Sequence, residues 1–260
     1  LHRQIMHTHD SALHQTFKVD SAAAFARGLD PHITISPVRA RVTCANALPL
    51  ACAHDVVIDC TDNVETRYVL NDACVLAGVP LVSGAALGTS GQVAVYWPAN
   101  GPAGGCYRCA FPRMLSPHEA GSCARDGVLG PVPAVIGALQ ALEAIKLLSG
   151  RGMTGFLTTL DLAELSPSAH VAVRLRRRED CFACGSPRAL QSLADTAAWL
   201  ETERGVSLVD SLPLLFRDGE EVVVVVDTRP SSDAAPFALM RRVPPPHAVR
   251  MPVDAIQRDP

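Results

Sequence analysis

Apolar residues along this chain alternate between short extended runs and longer stretches with helical spacing. The extended runs ITISPVRARV (33–42), DVVIDC (55–60), VPLVSGAA (79–86) and GQVAVYW (91–97) are rich in Val and Ile and bounded by Gly, Pro or Asp, which predicts strands. Between the second and third, VETRYVLNDACVLAG (64–78) sets Val64, Tyr68, Val75 and Leu76 on one helical face, and Gly78 with Pro80 supplies a stop. This order predicts a βαβ unit, whose parallel strands require a right-handed crossover and whose open sheet gathers ligands at the strands' carboxyl ends. Asp62 and Asn63 sit at such an end. A second helix, PVPAVIGALQALEAIKLLS (131–149), carries Val132, Val135, Ile136, Leu139 and Leu142 as an expected core stripe, with Gly150 as its stop. Strands GFLTTLD (155–161) and HVAVRLR (170–176) follow, and the first domain is expected to close near Pro187.

Composition narrows the class. The chain has 260 residues, 19% of them charged, and a net charge of −3, enough length for a sizeable core and no electrostatic footprint for nucleic acid. No uninterrupted apolar run approaches the ~20 residues that span a bilayer, and the start LHRQIMHTHD lacks the pattern of a secretory signal. With nine cysteines in partly metal-like spacing, a reducing, cytoplasmic location is expected.

Two CxxC pairs carry the strongest chemical signal: Cys106 and Cys109 in GGCYRCAFP, and Cys181 and Cys184 in EDCFACGSP. Two such pairs form a complete tetrahedral thiolate set, and a closed four-sulfur zinc site staples segments together without an open coordination position. A redox dithiol is the alternative. Cys44, Cys52, Cys60 and Cys74 lie in or beside apolar elements and read as buried packing residues. His2, His7, His9 and His14 read as loop or surface residues.

Arg3, Lys18 and Asp62, with Arg67 in the following helix, together suit a triphosphate: guanidinium and ammonium groups meet phosphate oxygens and a carboxylate can hold Mg²⁺. Surface charge for Arg3 and Lys18, and a helix cap for Asp62 and Asn63, are equally open readings of the spacing. Cys123 lies in the polar stretch SPHEAGSCARDGVLGP, where Arg125 would raise its thiolate fraction; a spare thiol in a loop is the other reading.

The strings LHRQ, KVDSAAAFARGLDP with Lys18, DVVIDCTDN, PLVSGAALGTSGQVAVY, CYRC, GVLGPVPAVIGALQALEAIKLLSG and CFACG, in this order over residues 1 to about 186, resemble the MoeB/ThiF family of ubiquitin-activating-enzyme-like adenylyltransferases. The resemblance implies a Rossmann-like, doubly wound α/β sheet with a four-cysteine zinc staple. It also implies ATP- and Mg²⁺-dependent adenylation of the C-terminal Gly-Gly carboxylate of a ubiquitin-like sulfur carrier. Arg3, Lys18, Asp62, Asn63 and Arg67 are then ATP and metal contacts, Asn71 a supporting residue, and Cys123 the acceptor of the activated carboxylate. A homodimer and a sulfur donor such as a cysteine desulfurase are the further partners implied.

Beyond an expected linker at 187–206, which contains a short helical stretch, EVVVVVDTRP (221–230) and HAVRMPVDAI resemble the opening of a rhodanese-like domain at 207–260, with Asp227 and Arg229 in a D-x-R turn and Pro252 after it. That combination resembles family members that join adenylyltransferase and sulfurtransferase units, serving molybdopterin synthesis and tRNA thiolation. The chain departs from the family pattern in having no G-x-G-x-x-G and in His14 before Lys18. It is expected to be a piece of a longer protein, with a phosphate loop preceding Leu1 and a persulfide cysteine following Pro260. The alternative functions are an inactive fragment or non-catalytic relative that binds a ubiquitin-like partner, and a nicotinamide-dependent oxidoreductase, which would need a dinucleotide fingerprint.

Overall fold

The computed structural model describes residues 3–101, 104–114, 126–151, 155–164 and 169–204, together with the backbone of 224–227. Cys123, Arg125, Arg229 and Pro252 lie outside the described residues.

Five strands form the main sheet: β2 (Val57–Asp59), β3 (Leu81–Leu87), β4 (Ser90–Tyr96), β5 (Phe156–Asp161) and β6 (His170–Arg174), in that spatial order. Strand β2 runs parallel to β3, with Val57 opposite Leu81 and Asp59 opposite Ser83; the remaining neighbours are antiparallel. The predicted βαβ unit is therefore present, its crossover made by helix α4 (Val64–Ala77). Asn63 caps α4 by accepting from the Thr66 amide (3.2 Å), and Gly78, at φ 71°, ends it with Val79 N–H bonded back to the Cys74 carbonyl (3.0 Å). Strand β1 (Thr34–Pro37) stands outside this sheet and pairs antiparallel with β7 (Val224–Asp227). Three helices precede α4: α1 (His9–Leu13), α2 (Lys18–Leu29) and α3 (Ala47–Cys52).

Helices cover both faces of the sheet. On one, Tyr68, Val69, Ala73 and Cys74 of α4 pack with Leu81, Ala94 and Tyr96. On the other, helix α6 (Pro131–Leu148) sets Ala144 and Leu147 against Val82 and Val95. The expected α6 stripe is corrected: Val132, Ile136, Gln140, Ala144 and Leu147 are buried, while Val135 and Leu142 are 40% and 51% exposed. An all-round apolar helix does not reveal its inner face by composition. Here the strands choose it, because a Cβ on Gly84 would collide with the Gln140 amide and one on Gly91 with Ile136. With a mean hydropathy of 1.4 over 18 residues, α6 meets the length and composition of a membrane span, unlike what the sequence reading expected; in the fold it lies on β3 and β4.

The segment expected as a linker carries helix α7 (Leu193–Arg204), following the short helix α5 (Tyr107–Ala110) of the first CxxC pair. Leu193, Thr196 and Leu200 are buried, and α7 packs on α4.

Candidate functional site

Asp59 ends β2 and is 1% exposed. Its Oδ1 accepts from the Thr61 amide (2.9 Å) and hydroxyl (2.7 Å), and its Oδ2 accepts from the Ser83 hydroxyl (3.0 Å). Arg67 reaches back from the first turns of α4, donating to the carbonyls of Thr61 (2.6 Å) and Gly84 (3.2 Å). From the opposite face, Gln140 donates to the carbonyls of Asp59 (2.7 Å) and Val82 (3.2 Å). These bonds occupy polar groups exposed where β2 stops and β3 continues. They leave a turn held from both faces of the sheet, with Asp62 at its tip. Asp62 is exposed, and among the described residues its carboxylate has no partner. A free hard-oxygen donor at the carboxyl end of a strand fits Mg²⁺ chemistry.

The structure thus brings Asp62, Asn63 and Arg67 together and gives them different work. Asn63 caps the helix, and the buried Arg67 guanidinium is spent on two carbonyls. Arg3 precedes α1 and Lys18 opens α2, which packs against β1. Burial, and next the Lys18 ammonium, hold His7 below the usual imidazole range. Cys60, expected as a buried packing residue, is instead exposed over part of its surface, while its thiol turns inward and donates to Gln140 Oε1 at 3.6 Å in a part-buried contact. Burial, then the Asp59 carboxylate, push that thiol to about 11, so it stays protonated at neutral pH. Asp59, Ser83 and Gln140 were missed by sequence reasoning; the only local trace is a second acidic residue three positions before Asp62.

The two CxxC pairs meet as expected. Sγ atoms of Cys106, Cys109, Cys181 and Cys184 all lie within 4.8 Å of one another, with Cys106–Cys181 at 3.5 Å, Cys109–Cys184 at 3.4 Å and Cys106–Cys109 at 3.8 Å. A tetrahedron with metal–sulfur bonds of ~2.3 Å has an edge of about 3.8 Å, so the four residues fit one metal ion. Hydrogen bonding with Cys106 pulls Cys109 far below the ordinary thiol range and Cys181 to about 6. The Arg178 amide also donates to Cys109 Sγ (3.4 Å). The same cluster holds Cys106 and Cys184 above the ordinary thiol range, so without a cation the thiolate character falls on Cys109 and Cys181, and a bound cation would draw it from all four.

A buried ion pair clamps this cluster to α4. Arg108, between the first two cysteines, meets Asp72 through Nε–Oδ1 (2.8 Å) and Nη2–Oδ2 (2.7 Å), and the side chains are 2% and 0% exposed. The Thr196 hydroxyl (2.8 Å) and the Asn71 amide (2.9 Å) donate to the same carboxylate. Trp199, Phe182 and Tyr68 enclose the guanidinium at 3.8, 4.7 and 4.8 Å from their ring centroids. Asn71 accepts from the Tyr107 amide at 2.7 Å, so its supporting role is to hold the first CxxC pair.

The sequence matches the ThiF family over residues 1–183. The chain belongs to the ThiF family. Among curated relatives, the adenylyltransferase and sulfurtransferase MOCS3 of Sus scrofa is 40% identical over 271 residues, covering 99% of this chain and 57% of that protein. The SAMP-activating enzyme E1 of Haloferax volcanii is 42% identical over 187 residues, covering 71% of this chain and 66% of that protein. The chain therefore spans little more than half the length of the first ThiF relative. Among solved structures, Escherichia coli MccB with ATP is similar in fold, with a TM-score of 0.57 and 17% identity over 71% of this chain and 55% of that one.

Proposed function

We propose that this chain is the adenylating unit of an ATP-dependent adenylyltransferase and sulfurtransferase acting on a ubiquitin-like sulfur carrier. The observation that carries the reading is the Asp62 turn: an unpartnered exposed carboxylate on a rigid buried frame, in a chain related across 99% of its length to a protein of that named activity. The carrier's terminal carboxylate attacks the α-phosphorus of ATP and pyrophosphate leaves, giving an acyl adenylate. Since the nucleophile is already anionic, alignment and charge neutralisation serve this reaction better than a general base. Asp62 would hold Mg²⁺, which neutralises phosphate charge when bound; Arg3 and Lys18 supply cations to the phosphates. The Cys123 thiolate then displaces AMP to give a thioester. The persulfide of a sulfur donor such as a cysteine desulfurase attacks that thioester, freeing the Cys123 thiolate and giving an acyl disulfide, and a second thiol cleaves its S–S bond to leave the thiocarboxylate and a disulfide.

The metal of the four-cysteine cluster is proposed to be zinc, with a structural role. Exposed Val135, Leu142 and Ile145 on α6 (40%, 51% and 62%) support a homodimer, and a cytoplasmic location agrees with cysteine ligands kept reduced. The test is ATP–pyrophosphate exchange by the full-length protein with a carrier ending in Gly-Gly. Asp62→Ala abolishes exchange with circular dichroism and bound metal unchanged, and Cys123→Ala keeps exchange while losing sulfur transfer. Undiminished exchange by Asp62→Ala refutes the assignment.

A further inference from the structure

We propose that Asp59 is a positioning residue for adenylation, acting by setting the turn that presents Asp62. This rests on the adenylating reading above and names a residue that reading does not use.

Every polar contact of Asp59 points at the turn or its support. One carboxylate oxygen takes both Thr61 donors, at 2.9 and 2.7 Å, the other takes Ser83 from the neighbouring strand at 3.0 Å, and the main-chain carbonyl takes Gln140 at 2.7 Å. Thr61 in turn gives its carbonyl to Arg67 at 2.6 Å. The residue immediately before Asp62 is therefore fixed at its amide, hydroxyl and carbonyl, while Asp62 itself is left free. The side chain of Asp59 is 1% exposed, so it acts through Thr61 rather than by direct contact with substrate. A carboxylate is suited to this because it only accepts, and all three incoming groups donate. Removing it frees the two Thr61 donors and the Ser83 hydroxyl inside the fold, so the turn must rearrange to satisfy them. A displacement of ~1 Å at a positioning group costs about 10²-fold in turnover efficiency.

Hydrogen-bond geometry makes a sharp distinction between two substitutions. In Asp59→Asn, the amide oxygen still accepts from Thr61, and the amide nitrogen donates to Ser83, whose hydroxyl turns round to accept. In Asp59→Ala, none of these bonds survives.

The test uses the full-length protein with its carrier. Pyrophosphate exchange is measured against Mg²⁺·ATP and, separately, against the carrier. Mn²⁺·ATP binding is followed by water-proton relaxation, and exchange of the Thr61 amide proton is followed by mass spectrometry. Asp59→Ala is expected to lower kcat/KM for Mg²⁺·ATP by about 10²-fold, weaken Mn²⁺·ATP binding and accelerate exchange at Thr61, with the KM for carrier unchanged. Asp59→Asn is expected to restore most of each loss. Should Asp59→Ala not fold, Thr61→Val and Ser83→Ala, each removing one donor, are expected to shift Mn²⁺·ATP binding in the same direction. Equal losses in Asp59→Asn and Asp59→Ala overturn the proposal in favour of a role for the charge itself, and unchanged Mn²⁺·ATP binding in the alanine variant overturns it outright. Absence of exchange in the wild-type protein instead refutes the adenylating reading beneath it.

Discussion

Replacing Arg108 by Met removes the cation from a pair whose two side chains are 2% and 0% exposed. Methionine fills much of the space among Trp199, Phe182 and Tyr68 and keeps apolar contact with their rings, so packing loss is small and the main penalty is electrostatic. The Asp72 carboxylate retains only the Thr196 and Asn71 donors. Breaking a buried pair from one side costs about 3–5 kcal/mol, a large part of the ~5–15 kcal/mol that holds a typical domain together. Asp72→Leu, leaving the guanidinium stranded, is expected to cost a similar amount. The double variant removes both charges. An apolar replacement of a buried pair is often neutral, leaving Thr196 and Asn71 to lose one bond each at ~0.5–1.5 kcal/mol. It is therefore expected to cost about 1–3 kcal/mol against a sum of single costs of about 6–10 kcal/mol. Urea unfolding at constant metal content, followed by tryptophan fluorescence, measures all three; of the two tryptophans, Trp199 sits on the guanidinium. A double variant whose cost equals the sum of the singles, or an Arg108→Met cost below ~1 kcal/mol, refutes the view that this pair is sealed and mutually dependent.

Three further outcomes follow from the same contacts. Metal analysis is expected to give one ion per chain, and Cys184→Ser or a chelator lowers the melting temperature and exposes Trp199, since the cluster ties together two segments 75 residues apart; chelation without either change contradicts a structural metal. The folded Cys60 thiol holds its proton more tightly than an ordinary thiol, so its contribution to stability is complete below about pH 9.0 and drains away as pH rises towards about 11. Wild type should therefore lose more urea resistance than Cys60→Ser across that window, and parallel curves would rule the effect out. Gly84→Ala drives a methyl into the Gln140 amide and is expected to cost about 1–3 kcal/mol through overpacking, with Gln140→Ala in the same chain relieving part of it; an additive pair of effects would place the strain elsewhere.

Much of this fold is written in local pattern. Strands of Val and Ile, the Asn63 cap, the Gly78 stop and the CxxC spacings depend on neighbours within a few positions, which periodicity detects. The polar frame does not. Ser83 lies 24 residues from Asp59, Arg108 36 from Asp72, Gln140 81 from Asp59 and Thr196 124 from Asp72. Each of these residues, taken alone, reads as an ordinary polar position. Likewise Val135 and Leu142 read as core because α6 is apolar all round, and only the glycines of β3 and β4 decide which side lies inward. Resemblance supplied Asp62 and Arg67, but not the different tasks the contacts give them.

Helix α4 joins the two sites because its successive turns serve both. Arg67 fixes the Asp62 turn, and Asn71, one turn later on nearly the same face, accepts from Tyr107 beside the first metal-type cysteine. Asp72 adds the buried pair to Arg108 and, through Thr196, the grip on α7. A helix of 14 residues, about 21 Å long, thus carries the frame of the exposed carboxylate at one end and the anchor of the cysteine cluster at its middle. Loss of the metal would then reach the Asp62 turn only by loosening α4 as a whole. Intact main-chain bonding of that helix insulates the turn, and Arg67 holds it from its own carbonyl partners even where the cysteine end is strained. The arrangement separates durability from chemistry: the cluster and α7 lock the middle of the helix, so that its first turn can keep one carboxylate rigidly placed and free of partners.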